Sequence, residues 1–216
     1  MSNHSQGYKE RQLIYIKMRL LSDTIFGNGM SVPGEEDISV LTDVHGFPYY
    51  KGSTFKGVFR EEMGRLLEWE DGSVGGLLDV LFGEGKPGMA DKETESRRLV
   101  FSDFVLSPHV RDVIRRETGD DPGKVLECLT NVRAFTRISE EGTADYGSLR
   151  YARCVNQGLV FYSTISCSCD DKDRVTKAIP FVKWIGTLRN RGFGHVRIEV
   201  EDAAADAAST DRGGED

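Results

Sequence analysis

The chain has 216 residues, 38% of them hydrophobic, and a formal net charge of −7. No run approaches the roughly 18 apolar residues of a membrane span, and the opening Met1-Ser2-Asn3-His4-Ser5-Gln6 lacks the apolar stretch of a secretory leader. The expectation is one cytoplasmic domain over residues 1–200, long enough for a single core with insertions. The charge is uneven: from Glu201 to Asp216 six acids face Arg212 alone, which puts −5 in the last 16 residues and −2 in the first 200. That composition reads as a disordered acidic tail and leaves room for a basic surface upstream. Cys128, Cys154, Cys167 and Cys169 form no CxxC pair and no regular framework, so reduced and mostly buried thiols are expected, with Cys167 and Cys169 on one face of a strand.

In chain order, Leu13 to Leu21 alternates, with Ile14, Ile16, Met18 and Leu20 on one face and Lys17 and Arg19 on the other, the pattern of a half-buried strand. The segment 22–52 is long, acidic and rich in turn signals, and loops of that length carry function in compact domains. Phe55, Val58, Phe59, Met63, Leu66 and Leu67 recur at helical spacing after Ser53, a residue suited to capping, and Gly72 lies beyond the end. A loop is expected over 83–98, and a strand over Leu99 to Leu106. From Asp112 to Leu129 the helical pattern is broken by Gly119, Pro122 and Gly123. Asn131 to Ile138 and Leu159 to Cys167 are rich in β-branched and aromatic residues, and Ser139 to Arg150 between them reads as an extended hairpin. Asp173 to Leu188 predicts a helix interrupted at Pro180, followed by a strand from His195 to Val200. The order strand, helix, strand, strand, helix, strand is that of an α+β, ferredoxin-like or RRM-like fold, an antiparallel sheet with two helices on one face.

Two segments suit an anion. In Tyr50-Lys51-Gly52-Ser53-Thr54-Phe55-Lys56-Gly57-Val58-Phe59-Arg60 the start of a helix offers free N–H groups and the hydroxyls of Ser53 and Thr54, with Lys51, Lys56 and Arg60 nearby. An ordinary serine cap with solvated lysines accounts for the same residues. In Arg189-Asn190-Arg191-Gly192-Phe193-Gly194-His195-Val196-Arg197 the glycines let the backbone approach a phosphate chain, and the arginines supply contacts. This segment fits much of the RRM signature, but His195 and Ile198 stand where that signature has aromatic rings, which points to backbone contact rather than base stacking. Arg133, Arg137, Arg150 and Arg153 flank the proposed hairpin.

The run from Gly46 to Arg60, followed by Leu81-Phe82-Gly83, Arg98-Leu99-Val100-Phe101-Ser102-Asp103 and Arg189-Asn190-Arg191-Gly192-Phe193-Gly194, closely resembles the RAMP superfamily, and within it the repeated backbone subunits of type III CRISPR effector complexes. The resemblance covers residues 12–200. It implies an RRM-like palm, a thumb hairpin at about 131–153 and a lid. It further implies partners: CRISPR guide RNA, complementary target RNA, other copies of the chain and other subunits of the complex. Sequence would then be read by base pairing while the protein grips backbone and shape. Asp37-Ile38-Ser39-Val40-Leu41-Thr42-Asp43 fits the pattern that places a catalytic aspartate shortly before the Pro-Tyr-x-x-Gly-Ser run. By that likeness Asp37 is the catalytic residue and the ligand of a divalent cation, Mg²⁺, with target RNA as the substrate. Alternatives are a non-cutting structural subunit, a metal-independent endonuclease that trims guide precursor with His45 or His195, and a simple RRM-type binding module.

Overall fold

The computed structural model describes residues 10–27, 37–72, 75–83, 96–136, 142 and 148–201. Strand β1 (Arg11–Leu20) alternates as its sequence does: Ile14, Ile16, Met18 and Leu20 are at most 2% exposed, whereas Leu13 and Tyr15 are 52% and 42% exposed. Each such burial is worth about 1.5–3 kcal/mol. A one-residue slip would turn all four side chains to water, so this face fixes the register. β1 pairs antiparallel on one side with β6 (Val160–Ser168), Met18 opposite Phe161, and on the other with β7 (Val196–Glu201), Met18 opposite Ile198. β2 (Val100–Phe101) and β3 (Val105–Leu106) pair in turn with β6 at the far edge. The order across the sheet is β2, β6, β1, β7, with helices inserted after β1 and after β6. This is the expected ferredoxin-like palm.

Helix α1 (Gly52–Asp71) buries Phe55, Phe59, Met63, Leu66 and Leu67 against the sheet and stops at Gly72, whose φ of 65° lets its N–H reach the Glu68 carbonyl. A short helix, α2 (Gly75–Phe82), lies just before the expected loop and buries Leu81 and Phe82. The expected strand 99–106 is split in two. Ser102 still donates its amide to the Thr164 carbonyl (3.0 Å) but accepts from the Thr164 amide through Oγ (2.8 Å) instead of its carbonyl, and Asp103 turns toward α1. The broken pattern of 112–129 resolves into α3 (Pro108–Thr118) and α4 (Pro122–Leu129). Ser107 and Asp121 cap them, and each cap is followed by a proline at the first helical position, where no N–H is needed. The expected helix 173–188 shortens to α5 (Lys172–Ala178). Pro180 cannot donate to the helical ladder, and the chain tightens into a 3-10 turn, Ile179–Phe181, before running irregularly with Val182 and Ile185 buried. Of the thiols, Cys154 and Cys167 are buried and Cys128 and Cys169 exposed. Cys169 leaves the strand face it was expected to share, because β6 ends at Ser168.

Strands β4 (Thr130–Phe135) and β5 (Arg150–Val155) form a separate ribbon, from Thr130 opposite Val155 to Phe135 opposite Arg150. β5 falls where the sequence indicated only the end of a hairpin. Most of the expected hairpin, including Arg137, lies outside the described residues, as do residues 202–216 of the expected acidic tail and most of the 83–98 loop; Glu201, the first residue of that tail, instead ends β7 and pairs with Lys17 at 3.0 Å. The 22–52 segment laces the ribbon to the palm through bridges of Thr24 to Val155 and of Ile38 to Ala152. Ile25, Ala152 and Cys154 form a small second core, closed by Ile38, Phe135, Leu188 and Phe193. Among the described residues no helix is long and apolar enough to cross a membrane.

Candidate nucleic-acid interface

The root of the ribbon is clamped by Asp23, a residue that the sequence pattern did not single out. Its carboxylate accepts from Arg133 Nη2 (2.7 Å) and Nε (3.2 Å), from Asn131 Nδ2 (3.2 Å) and from the Gln157 amide (3.0 Å). Burial opposes the charge on Asp23, but Arg133 and the other donors outweigh it and hold the carboxyl below its ordinary value. Arg133, expected to face RNA, is therefore engaged in fastening the ribbon to the palm. Arg150, of the same expected basic set, is exposed at the outer end of the described ribbon.

Asp37 lies beside β5. Its Oδ2 accepts from the Tyr151 amide at 2.8 Å and its side chain is exposed. Ile38 on one side of it is hydrogen-bonded into β5, with its amide to the Tyr151 carbonyl (3.2 Å) and its carbonyl to the Arg153 amide (2.9 Å). The carboxylate thus stands on fixed backbone. Asp43, further along the same loop, is committed elsewhere: it accepts from Arg111 Nη2 (2.6 Å) and from the amides of His45 and Phe47. Partial burial opposes its charge, and those donors still hold its carboxyl below the ordinary value. Arg111 also lies 4.3 Å from the centre of the Phe47 ring. Among the described residues no group of three or more His, Cys, Asp or Glu side chains is placed to hold a metal ion.

The glycine-rich segment forms a 3-10 turn, Arg189–Arg191, between Leu188 and Gly192, which both take positive φ. Arg189, Arg191 and Gly192 are exposed, and among the described residues neither arginine has an ion-pair partner. Phe193 meets Phe135 edge-on at 5.4 Å, and Arg191 lies 6.0 Å from the same ring, so the segment is tied to the ribbon. The two glycines differ. At Gly192 an added β-carbon meets nothing within 4 Å, whereas at Gly194 it would fall 1.9 Å from the Ile185 carbonyl oxygen. Gly194 therefore serves the close approach of two protein backbones, not of a ligand. The His195 ring stacks on Trp184 at 4.6 Å, and its backbone N–H donates to Ser22 Oγ.

The start of α1 also departs from expectation. Its N-cap residue is Lys51, with no side-chain cap bond, so Ser53 does not cap the helix. The Gly52 amide donates to Asp103 Oδ1 at 2.8 Å, which places the protein's own carboxylate at the helix end. A β-carbon on Gly52 would fall 2.5 Å from the Ser102 carbonyl oxygen, so this glycine too is required by packing. Lys51, Ser53 and Thr54 remain exposed. Burial raises the neighbouring Tyr50 phenol, against smaller opposing contributions from the Gly186 backbone and from Arg189. Lys56 and Arg60 lie one and two turns along and belong to a separate cluster. Burial, with Arg98 and Arg60 adding to it, depresses the Lys56 ammonium, and Arg60 pairs with Asp79 at 3.1 Å.

The structure thus groups Asp37, the ribbon and the Arg189–His195 segment around the second core, sets the start of α1 against Ser102 and Asp103, and leaves Lys56 and Arg60 in a separate cluster. Such a ferredoxin-like palm, with exposed basic groups both on its insertions, at Arg189 and Arg191, and on its open sheet, at Arg11, Arg19 and Arg197, defines an α+β class with appendages. The model of the RAMP superfamily matches residues 17–197, and the chain belongs to that family. Among solved structures it is similar to a chain of the Type III-B Cmr-beta bound to cognate target RNA, seen by cryo-EM. The TM-score is 0.63 at 12% identity, over 90% of this chain and 98% of that one. A chain of the apo Cmr-beta gives 0.61 at 12% identity, over 88% and 98%. At that identity the likeness speaks for the fold. No curated protein sequence matches the chain significantly.

Proposed function

We propose that the chain is a backbone subunit of a type III CRISPR ribonucleoprotein, packed beside further copies of itself and other subunits, which binds guide RNA and cleaves paired target RNA in a metal-dependent way. Membership of the RAMP superfamily and a fold shared with chains of Type III-B Cmr-beta, one of them described bound to cognate target RNA, support the assembly. The observation that carries the chemistry is the exposed Asp37 carboxylate, pinned by the Tyr151 amide one pair in from the outer end of the described ribbon. Arg189, Arg191 and Lys51 grip phosphates without reading bases, and the clamped ribbon holds the strand against Asp37.

Asp37 fits a Mg²⁺ ligand of the kind that supplies one carboxylate and leaves the remaining positions to water and substrate oxygens. Such an ion, when bound, supplies Lewis-acid stabilisation of charge on the reacting phosphate. Asp37 would hold it, and the Tyr151 amide keeps that carboxylate oxygen in place. Asp43 takes no part, because Arg111 occupies it. In the reassembled complex Asp37→Ala should lower target cleavage opposite this subunit by at least about 100-fold, on the scale of losing a group that stabilises transition-state charge, while guide RNA still co-purifies. Chelation should do the same. Cleavage that survives Asp37→Ala makes the chain a structural subunit. Chelator-resistant cutting of guide precursor by the isolated chain would move the chemistry to His45 or His195.

A further inference from the structure

The open face of the palm sheet carries two arginines side by side, which the proposed function does not use. Register sets Arg19 of β1 directly opposite Arg197 of β7. Their neighbours Met18, Leu20, Val196 and Ile198 are buried, so both arginines project from the side away from the core, and both are exposed. Like charges directly opposite one another on a sheet destabilise the pair. Neither is neutralised: among the described residues, Arg19 and Arg197 have no ion-pair partner, and Glu201 on the same face is taken by Lys17 at 3.0 Å. Glu199, between them along β7, stands opposite Lys17. An anion laid across Arg19 and Arg197 would turn their repulsion into two attractions.

We propose that residues 202–216 of this chain dock on this face through their carboxylates and so shield the arginine pair from RNA phosphates. The shielding rests on the RNA-binding reading above; the docking does not. Charge is complementary: Asp202, Asp206, Asp211, Glu215 and Asp216 face Arg212 alone, a net −4 in that segment. Length and origin also fit. The segment begins directly after Glu201, the last residue of the strand that carries Arg197, and Glu201 stands opposite Tyr15 on the same sheet. Four strand residues back to Arg197 span about 13 Å, while 15 residues of extended chain reach about 50 Å. On the way lie Tyr15 and Leu13, 42% and 52% exposed, and the alanines 203–205, 207 and 208 between the acids are small enough to let the chain lie close over them. Glu199 and Glu201 would repel any anion brought from solution. A tethered segment has the advantage over such an anion, since its effective concentration is on the order of millimolar, and it holds a face on which exposed ion pairs are individually weak.

The test compares the full chain with a full-length variant whose tail is neutral: Asp202→Asn, Asp206→Asn, Asp211→Asn, Glu215→Gln and Asp216→Asn. The first readout is the NMR resonance of each Nε–H of Arg19 and Arg197, assigned with Arg19→Gln and Arg197→Gln. At low salt both resonances should shift when the tail is neutralised; unchanged resonances overturn the docking. The second readout is the affinity for a short polyuridine strand, from the anisotropy of an end label. The neutral-tail variant should bind about tenfold more tightly, on the scale of two exposed ion pairs. Its slope of log affinity against log salt should steepen by about 1.4, at about 0.7 for each phosphate. Adding Arg19→Gln and Arg197→Gln should abolish that gain in the neutral-tail variant and leave the wild-type affinity unchanged. All the substituted residues are exposed or lie beyond β7, and a urea midpoint verifies that the variants fold. A gain that survives loss of both arginines means that the tail acts by net charge alone and overturns the shielding. Weaker RNA binding on loss of the arginines beside a native tail makes RNA the occupant and overturns the docking. If no variant binds the strand, the RNA reading falls, and the arginine resonances still decide the docking.

Discussion

Replacing Gly194 by alanine separates a glycine needed by the fold from one that leaves space for a ligand, and Gly192→Ala is its control. Both positions have positive φ, 80° and 86°, so both substitutions carry a left-handed penalty of about 1–2 kcal/mol. At Gly192 nothing more is added. At Gly194 the new β-carbon falls 1.9 Å from the Ile185 carbonyl oxygen and 3.1 Å from its carbon, so the two backbone segments must separate. Ile185 is fully buried, and its amide donates to the Gly194 carbonyl at 2.9 Å. Forced overpacking costs about 1–3 kcal/mol, and a lost backbone hydrogen bond about 1 kcal/mol. The sum is about 3–6 kcal/mol for Gly194→Ala against about 1–2 for Gly192→Ala. Since a domain of this kind has about 5–15 kcal/mol in all, urea unfolding followed by circular dichroism should show a large shift in midpoint for the first and a small one for the second. Equal midpoints would refute the packing argument and return Gly194 to the ligand.

Asp171 is fully buried and accepts from Arg97 at 3.0 and 2.6 Å; Asp171→Ala removes that acceptor and should cost about 3 kcal/mol, read as a lowered thermal midpoint. Asp23 and Asp43 have folded pKa values below their ordinary 3.8. Their contribution is fully present above that value and is lost as pH falls through the depressed values. The double variant Asp23→Asn/Asp43→Asn should therefore be less stable than wild type at neutral pH and lose less on acidification, and acid-unfolding curves of equal steepness would contradict the assignment. Replacing Arg189 and Arg191 by Gln should weaken RNA binding without regard to sequence. It should also reduce the slope of log affinity against log salt by about 1.4, at about 0.7 for each single-strand phosphate contact; an unchanged slope would remove this segment from the interface.

The palm was legible in the sequence because its elements are periodic. The alternation of Ile14 to Leu20 and the helical spacing of Phe55 to Leu67 each identify a buried face without reference to the remainder of the chain, and turn chemistry orders them into a ferredoxin-like sheet. Asp37 was legible only through family resemblance, since nothing in its acidic surroundings distinguishes it from Asp43. Their difference is tertiary: Arg111, 68 residues away, occupies Asp43, while the Tyr151 amide, 114 residues away, holds Asp37 and leaves it exposed. The same holds for Arg133, drawn from the expected interface by Asp23 across 110 positions, and for Gly52, whose amide meets Asp103 rather than an outside anion. Periodicity records which face of an element is buried. Which charge finds a partner, and which glycine lies under another backbone, depends on close packing of distant segments, and only the folded chain decides it.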